Sequence, residues 1–240
     1  MITLAIDTAT ARCTVAVTDV TTRLEAHVDG ARRHTREALG LVDRLIRDIG
    51  AEPGDIGVVL SGDGPGSFTG LRVATSIAKA LVWGRPAVAW RVAPSLLIQG
   101  LPHLPTAGGR LLALSDALRG DVYAGCWDIG PDGIVPVGGP PRSMSPTDLA
   151  VFGSPSAIVG DISEQLADAV QAATAVAPVT GTEALPDART LLLLADIPGG
   201  SEPVADPGRW TPTYGRPVEA QAVWERKHGR ALPDQTYRPG

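Results

Sequence analysis

The sequence predicts an α/β fold built from two related lobes. Each half of the chain opens with two strands joined by a turn, and each half then alternates helices with strands. The similarity between the halves lies in the order of elements, because no run of residues repeats. A joint rich in proline and glycine, "PHLPTAGG" at 102–109, separates them.

The first lobe opens with an apolar run and an alternating run, which together predict a β-hairpin. Residues 35–49 follow with helical spacing, since Leu39, Val42 and Ile46 form one apolar row and a second row lies beside it. A face this wide can serve its own sheet and a second neighbour. A glycine followed by a proline ends the next helix at Trp83. The predicted elements are the strands "ITLAID" and "TVAVTD", the helix 35–49, the strand "IGVVLSG", the helix 68–83, the strand "RPAVAW" and the short helix "APSLLIQGL".

The second lobe begins with two apolar runs around a tight polar turn, and "GPDG" invites a third strand. Periodic apolar residues then predict helices on both sides of a buried strand. We expect a first lobe at 1–106, a second lobe at 107–212, and a C-terminal segment 213–230 that packs back on the first. The elements are the strands "RLLALSDA" and "DVYAGCWDI", the helix "SPTDLAVF", the strand "SAIVGD", the helices "SEQLADAVQAA" and "DARTLLLLADI", an extended loop at 198–212 and a last helix over about Pro217–His228.

Composition narrows the class of protein. The chain has 240 residues, of which 44% are hydrophobic and 20% charged, so it can bury a core. A net charge of −5 does not predict strong binding of nucleic acid by this chain alone. Cys13 and Cys126 lie in strand-like runs and are expected to be reduced core residues. The opening residues lack a basic leader, and no apolar run approaches a membrane span, so we expect a cytoplasmic protein without a membrane partner.

The stretch "GDGPGSFTGL" at 62–71 is the most distinctive feature of the sequence. It is not a P-loop, because the chain contains no Gly-Lys pair, and its glycine spacing does not fit a dinucleotide fingerprint. The amides that begin the following helix can still hold an anion. A second pattern is sharper, because Gly66, Gly70, Ala74 and Ala78 recur every four residues. Such a stripe admits close approach by a helix of another protein or by the chain's own sheet, and the residues leave both alternatives open.

Several segments together resemble the bacterial TsaB (YeaZ) family. They are "LAIDTAT" at the start, "HT" at 34–35, "GPGSFTGLR", "SDALRGDVY" after the joint and "PTYGR" near the end. Two positions depart from the family pattern: Leu118 stands where arginine is usual, and Gly215 where leucine is usual. Neither touches the glycine motif, so the departures concern details of the second lobe.

The resemblance implies an actin-like and sugar-kinase (ASKHA) fold and a role in forming threonylcarbamoyladenosine on tRNA. It implies a dimerisation subunit that pairs with the catalytic TsaD protein through its first two helices, or with a second copy of itself when alone. A TsaE-like ATPase and, through the complex, tRNA are the other implied partners. The implied interface residues are Thr35, Leu39, Val42, Ile46, Gly66, Ser67, Phe68, Thr69, Gly70, Arg72, Val73, Ala74, Ile77 and Ala78.

We expect no catalytic residue, no metal site and no cofactor in this chain. The four histidines lie too far apart in sequence to pair on one helical face as ligands. Kinases of this fold carry a glycine in the turn after the first strand, where this chain has Ala9. Asp7 and Thr8 are then either a remnant of a nucleotide corner or ordinary residues of a strand end. The alternative function is a small-metabolite kinase or ATPase, and a protease is disfavoured because no nucleophile constellation is present.

Overall fold

The computed structural model describes residues 1–30 and 34–214 and contains two β-sheets. The first sheet has six strands in the order β11-β5-β4-β1-β2-β3, in which β1, β4 and β5 run parallel and the others antiparallel to their neighbours. Its strands are β1 (Ile2–Asp7), β2 (Arg12–Thr18), β3 (Arg23–Asp29), β4 (Ile56–Gly62), β5 (Ala89–Ala93) and β11 (Glu202–Pro203).

The second sheet has five strands, four of them in the order β10-β6-β7-β8, with β9 also paired to β7. β6 and β10 are parallel, whereas β6 and β7 form a long antiparallel hairpin. Both sheets therefore combine parallel strands with an antiparallel hairpin, and the hairpins are those that the sequence predicts. The strands are β6 (Gly109–Leu118), β7 (Asp121–Gly130), β8 (Gly133–Pro136), β9 (Arg142–Met144) and β10 (Ala157–Asp161).

Five α-helices cover the sheets in the described part of the chain. They are α1 (His34–Asp48), α2 (Phe68–Val82), α3 (Ser95–Gly100), α4 (Glu164–Thr174) and α5 (Ala188–Leu194). α1 and α2 pack against each other and against the first sheet. α3 and α5 lie between the sheets, since their apolar side chains share one core cluster with residues of both. No helix within residues 1–30 and 34–214 is long and apolar enough to cross a membrane.

Both cysteines lie in the core as free thiols, which confirms the prediction made for them. Burial raises the pKa of Cys13 to about 12 and that of Cys126 to about 11. Because the thiolate is the reactive form, neither side chain is suited to nucleophilic chemistry.

Most predicted elements are confirmed, and five segments differ from the prediction. β3 was not predicted, although Leu24, Ala26 and Val28 alternate along it and pack on the core of the first sheet. The short strands β9 and β11 were also not predicted. The segment Pro146–Phe152 forms a 3₁₀ helix instead of an α-helix, and the strand predicted from "RPAVAW" begins only at Ala89.

Two segments assigned by the sequence to the second lobe lie on the first sheet. α5 packs against β1, β2 and β4, and β11 pairs with β5. A buried hydrogen bond of 3.0 Å from the amide of Ala188 to the hydroxyl of Thr14 fixes the start of α5 on β2. The predicted C-terminal helix and Gly215 lie outside the described residues.

Candidate functional site

The site predicted at the glycine-rich stretch lies where two parallel strands of the first sheet end. β1 ends at Asp7 and β4 ends at Gly62, and these strands are neighbours. The turn that follows β1 and the glycine-rich loop that follows β4 therefore meet at the same edge of the sheet. Ligands in α/β proteins commonly bind at such an edge. Whether the loop can hold a ligand therefore depends on which of its groups are already bound within the chain.

Asp7 is fully buried and is bound by hydrogen bonds within the chain. One carboxylate oxygen accepts a hydrogen bond of 2.9 Å from the amide of Ala9, and the other accepts one of 2.7 Å from the hydroxyl of Ser95 on α3. The same Ser95 hydroxyl accepts a hydrogen bond of 3.2 Å from the amide of Gly64. Asp7 thus joins the β1 turn, the glycine-rich loop and α3.

Thr8, the second residue of the predicted nucleotide corner, is also engaged within the chain. Its buried hydroxyl donates a hydrogen bond of 2.6 Å to the carbonyl of Gly70, in the first turn of α2. Ser95 could not have been predicted as the partner of Asp7, because 88 positions separate them and no local motif marks the serine.

The glycines of the loop allow the loop and α2 to lie directly on the β1 turn. A methyl group at Gly66 would overlap the carbonyl oxygen of Ala9, and one at Gly70 would overlap the carbonyl oxygen of Thr8. The amide of Ser67 donates a hydrogen bond of 2.7 Å to the carbonyl of Ala9. The amide of Ser67 is therefore not available to a phosphate.

The small-residue stripe of α2 faces the chain's own interior. Gly70 is buried, and Ala74 and Ala78 are 1% and 0% exposed within the core of the first sheet. The interpretation of these three residues as a surface for a helix of another protein is therefore wrong. Packing on the chain's own sheet, the alternative that the residues left open, is what the structure shows.

Two interface residues predicted on α1 are buried as well. Val42 and Ile46 are 3% and 2% exposed and belong to the same core. They cannot contact a partner directly, because β2, β3 and α2 already cover this side of α1. The correction has a physical reason: helical spacing shows which residues share a face, but not what covers it.

The remaining predicted interface residues lie at or near the surface. Leu39 is 64% exposed, so its apolar side chain is open to solvent. Thr69 and Arg72 are exposed, whereas Val73 and Ile77 are half-buried at the margin of the core. The side chain of Thr35 lies outside the described residues. An interface formed by the exposed residues stays a prediction.

The start of α2 carries two further contacts. The hydroxyl of Ser67 caps the helix by accepting a hydrogen bond of 3.3 Å from the amide of Gly70. The half-buried ring of Phe68 lies 4.7 Å from the ring of Tyr214, and the guanidinium of Arg72 lies 4.9 Å from the Phe68 ring centre. Phe68 therefore contacts two residues of its own chain.

Asp63, the second residue of the glycine-rich stretch, has a strongly perturbed carboxyl group. Burial raises its pKa to about 7, and the negative charges of Glu202 and Asp7 raise it further. Its backbone is fixed, because its amide donates to the carbonyl of Ala93 and its carbonyl accepts from the amide of Thr213. Sequence reasoning missed this residue, because its raised pKa comes first from burial and then from Glu202, which lies in a strand far along the chain.

A small cleft opens between the two sheets beside this edge. It has a volume of about 190 Å³ and is lined on one side by the β1 turn and the residues that precede α2. The other side is formed by Ser115, Asp116, Tyr123 and Asp161 of the second sheet. In residues 1–30 and 34–214, no three His, Cys, Asp or Glu side chains are placed to share a metal ion.

Comparison with known protein families shows that this chain is similar in sequence to proteins connected with threonylcarbamoyladenosine on tRNA. A sequence model described as "TsaD: tRNA N6-adenosine threonylcarbamoyltransferase" matches residues 28–126. The chain is 36% identical over 121 residues to the tRNA threonylcarbamoyladenosine biosynthesis protein TsaB of Escherichia coli K12, a match that covers 50% of this chain and 52% of that protein.

A second curated relative and a solved structure agree with this. The TsaB protein of Bacillus subtilis is 29% identical over 129 residues, which are 52% of this chain and 54% of that protein. The chain therefore spans about half the length of these curated relatives. The structure "YeaZ from Pseudomonas aeruginosa" superposes with a TM-score of 0.73 at 24% identity, over 89% of this chain and 99% of that one. This likeness shows a shared α/β fold, and together with the match to the TsaD family model it supports an actin-like (ASKHA) fold.

Proposed function

Because this chain belongs to the TsaB/YeaZ family, we propose that it takes part in forming threonylcarbamoyladenosine on tRNA as a non-catalytic subunit. In this proposal it pairs with a TsaD-like catalytic protein and stabilises it. The relatives from Escherichia coli and Bacillus subtilis are named for the same biosynthesis. The division of labour between the subunits is our inference from the geometry of the strand-end site.

The closed corner at the end of β1 is the observation that carries the non-catalytic role. Asp7 accepts hydrogen bonds from Ala9 and Ser95, and Thr8 donates to Gly70, so both side chains serve the fold. A catalytic carboxylate must reach the reacting group within about 2.6–3.2 Å, directly or through one water. A fully buried Asp7 does not meet that requirement without opening the packing of α2 on the turn.

The exposed side of α1 and α2 is the surface we propose for the partner. It carries Leu39, Thr69 and Arg72 in the open, with Val73 and Ile77 at its inner margin. These side chains form the outer part of a helix pair whose inner part is already packed. Removing an apolar side chain such as Leu39 from water contributes favourable free energy to binding of a partner.

Further partners follow from the proposed complex. A TsaE-like ATPase would join the assembled pair, and tRNA would be held mainly by the other subunits. A net charge of −5 supports an indirect role in binding tRNA, since phosphate contacts require a basic surface. The kinase or ATPase alternative is disfavoured, because the side chains of Asp7 and Thr8 are engaged in hydrogen bonds within the chain.

Co-purification with the TsaD-like protein of the same organism tests the proposal. We expect Leu39→Arg to reduce capture of that protein about tenfold or more, because a charge would replace an apolar contact in the interface. Val151→Arg is the matched control, since Val151 is 68% exposed but lies on the second lobe. Both variants should keep the thermal stability of the parent chain, because neither side chain is in the core.

Equal capture by the parent chain, Leu39→Arg and Val151→Arg would reject the proposed surface. Absence of any complex with the TsaD-like protein would reject the proposed pairing itself. Turnover of ATP by the isolated chain with Mg²⁺, abolished by Asp7→Asn, would instead favour the kinase alternative.

A further inference from the structure

The second sheet presents a polar row to the cleft between the sheets. Side chains that are register partners across β10, β6 and β7 lie on the same face of the sheet. Two successive rows on this face are mainly apolar and help to form the core between the sheets. The two apolar rows are Ala157–Leu111–Trp127 and Val159–Ala113–Gly125. The third row, Asp161–Ser115–Tyr123, is polar and lines the cleft.

Asp161 differs from the strand-end carboxylate of the other sheet. Asp7 accepts hydrogen bonds from Ala9 and Ser95, whereas the carboxylate of Asp161 accepts none from any residue in the described part of the chain. Burial and the negative charge of Asp116 raise the pKa of Asp161. A positively charged group beside Asp161 would relieve both effects.

Gln99 adds an unpaired acceptor to the same cleft. The side chain is 2% exposed, and its amide nitrogen donates a hydrogen bond of 3.2 Å to the carbonyl of Leu114. Its carbonyl oxygen accepts no hydrogen bond from the residues that the structure describes, and Gln99 lies on the cleft wall. A ligand that enters the cleft can donate a hydrogen bond to this oxygen, which acts only as an acceptor.

The opposite wall has the reverse polarity. Gly66 and Ser67, which precede α2, line the cleft, and the helix directs the positive end of its dipole toward them. The amide of Gly66 donates to no acceptor within residues 1–30 and 34–214, whereas that of Ser67 is bound to Ala9. One wall is therefore suited to a cation and the other to an anion.

We propose that this cleft binds a small zwitterion of the α-amino acid class. The ammonium group lies toward Asp161 and Gln99, and the carboxylate lies toward Gly66 and the start of α2. The cleft volume of about 190 Å³ admits only a small molecule, since pockets for drug-sized ligands hold roughly 300–1,000 Å³. This binding does not depend on the partner surface proposed above. It goes beyond the proposed function by giving the chain a small ligand of its own.

Calorimetric titration of the full chain with L-serine, ethanolamine and L-lactate tests the proposal, because the last two compounds each carry only one of the two charges. We expect L-serine to bind, and the two single-charge compounds to bind about tenfold more weakly or worse. Asp161→Asn should weaken L-serine binding about tenfold or more, because it removes the charge that pairs with the ammonium. Asp168→Asn, on the exposed side of α4, is the matched control and should leave binding unchanged.

Two results would overturn the proposal. One is no binding of glycine, L-alanine or L-serine at about 10 mM, a range in which even weak binders are detected. The other is unchanged L-serine affinity in Asp161→Asn; if that variant fails to fold, unchanged affinity in Ser115→Ala has the same meaning. Leu39→Arg should bind L-serine normally, so failure of the partner surface and failure of the cleft are separate outcomes.

Discussion

Thr8 and Gly70 connect the first strand of the protein to its second helix through two contacts. The hydroxyl of Thr8 donates a hydrogen bond of 2.6 Å to the carbonyl of Gly70, and the α-carbon of Gly70 lies against the carbonyl of Thr8. The two residues are 62 positions apart in sequence, and both are buried. The β1 turn and the start of α2 therefore form one rigid unit, in which the glycine is required for close approach.

Two helical glycines are expected to respond to alanine with opposite signs. Gly70→Ala places a methyl group on the carbonyl of Thr8 and should lower the free energy of unfolding by about 1–3 kcal/mol. Gly40→Ala, in α1, meets no atom within 4 Å and should raise it by about 0.5–1 kcal/mol, because alanine favours a helix. Urea denaturation of both variants measures the difference. Equal effects would contradict the close packing of α2 on the turn.

Removing the hydroxyl of Ser95 should destabilise the strand-end corner. Ser95→Ala takes one donor from the buried carboxylate of Asp7 and should cost about 1–3 kcal/mol in the free energy of unfolding. Ser143→Ala, at an exposed position of β9, is the control and should change it by less than about 0.5 kcal/mol. A Ser95→Ala variant as stable as its control would show that the Asp7 contact is not structural.

Much of the fold follows from local pattern. The β1–β2 hairpin, α1, α2 and the β6–β7 hairpin are marked by apolar spacing that is specific to a strand or a helix. β3 had the same kind of signal, because Leu24, Ala26 and Val28 alternate with charged or polar residues. The two-residue strand β11 had none, since it exists only by pairing with β5.

The sequence did not predict which side of α2 packs against the sheet. Periodicity places Gly70, Ala74 and Ala78 on one side of the helix, but a helix between a sheet and a surface has two candidate sides for small residues. The contact between the carbonyl of Thr8 and Gly70 shows which side of α2 faces the core. The sequence does not predict this contact, because the two residues are 62 positions apart. The cleft has the same limitation, because Asp161 and Gln99 meet only through the packing of α3 on the second sheet.

The pKa of Asp63 predicts a pH dependence of stability. Burial raises this pKa from 3.8 to about 7, with Glu202 and Asp7 adding to the rise. Between these values the native state keeps a proton that the unfolded chain releases, so the stability contributed by this group is lost as pH rises through about 7. Asp63→Asn cannot ionise and should lose less stability than the parent chain between pH 4 and pH 8.

Urea denaturation across that range measures the difference between the two proteins. Asp132→Asn, on the exposed turn between β7 and β8, is the control and should follow the parent chain at every pH. A parent chain and an Asp63→Asn variant with parallel pH profiles would contradict the raised pKa.

In the absence of its partner, the free chain is expected to self-associate through the exposed side of α1 and α2. Leu39 is 64% exposed there, and a second copy can cover the same surface by two-fold symmetry. Leu39→Asp places two like charges near the axis of such a dimer and should raise the dissociation constant about tenfold or more. Val135→Asp changes a side chain of nearly equal exposure, 63%, on β8 of the second sheet and should leave association unchanged. Sedimentation equilibrium over a range of concentrations distinguishes the two variants, and a Leu39→Asp protein that dimerises like the parent chain would assign self-association to another face.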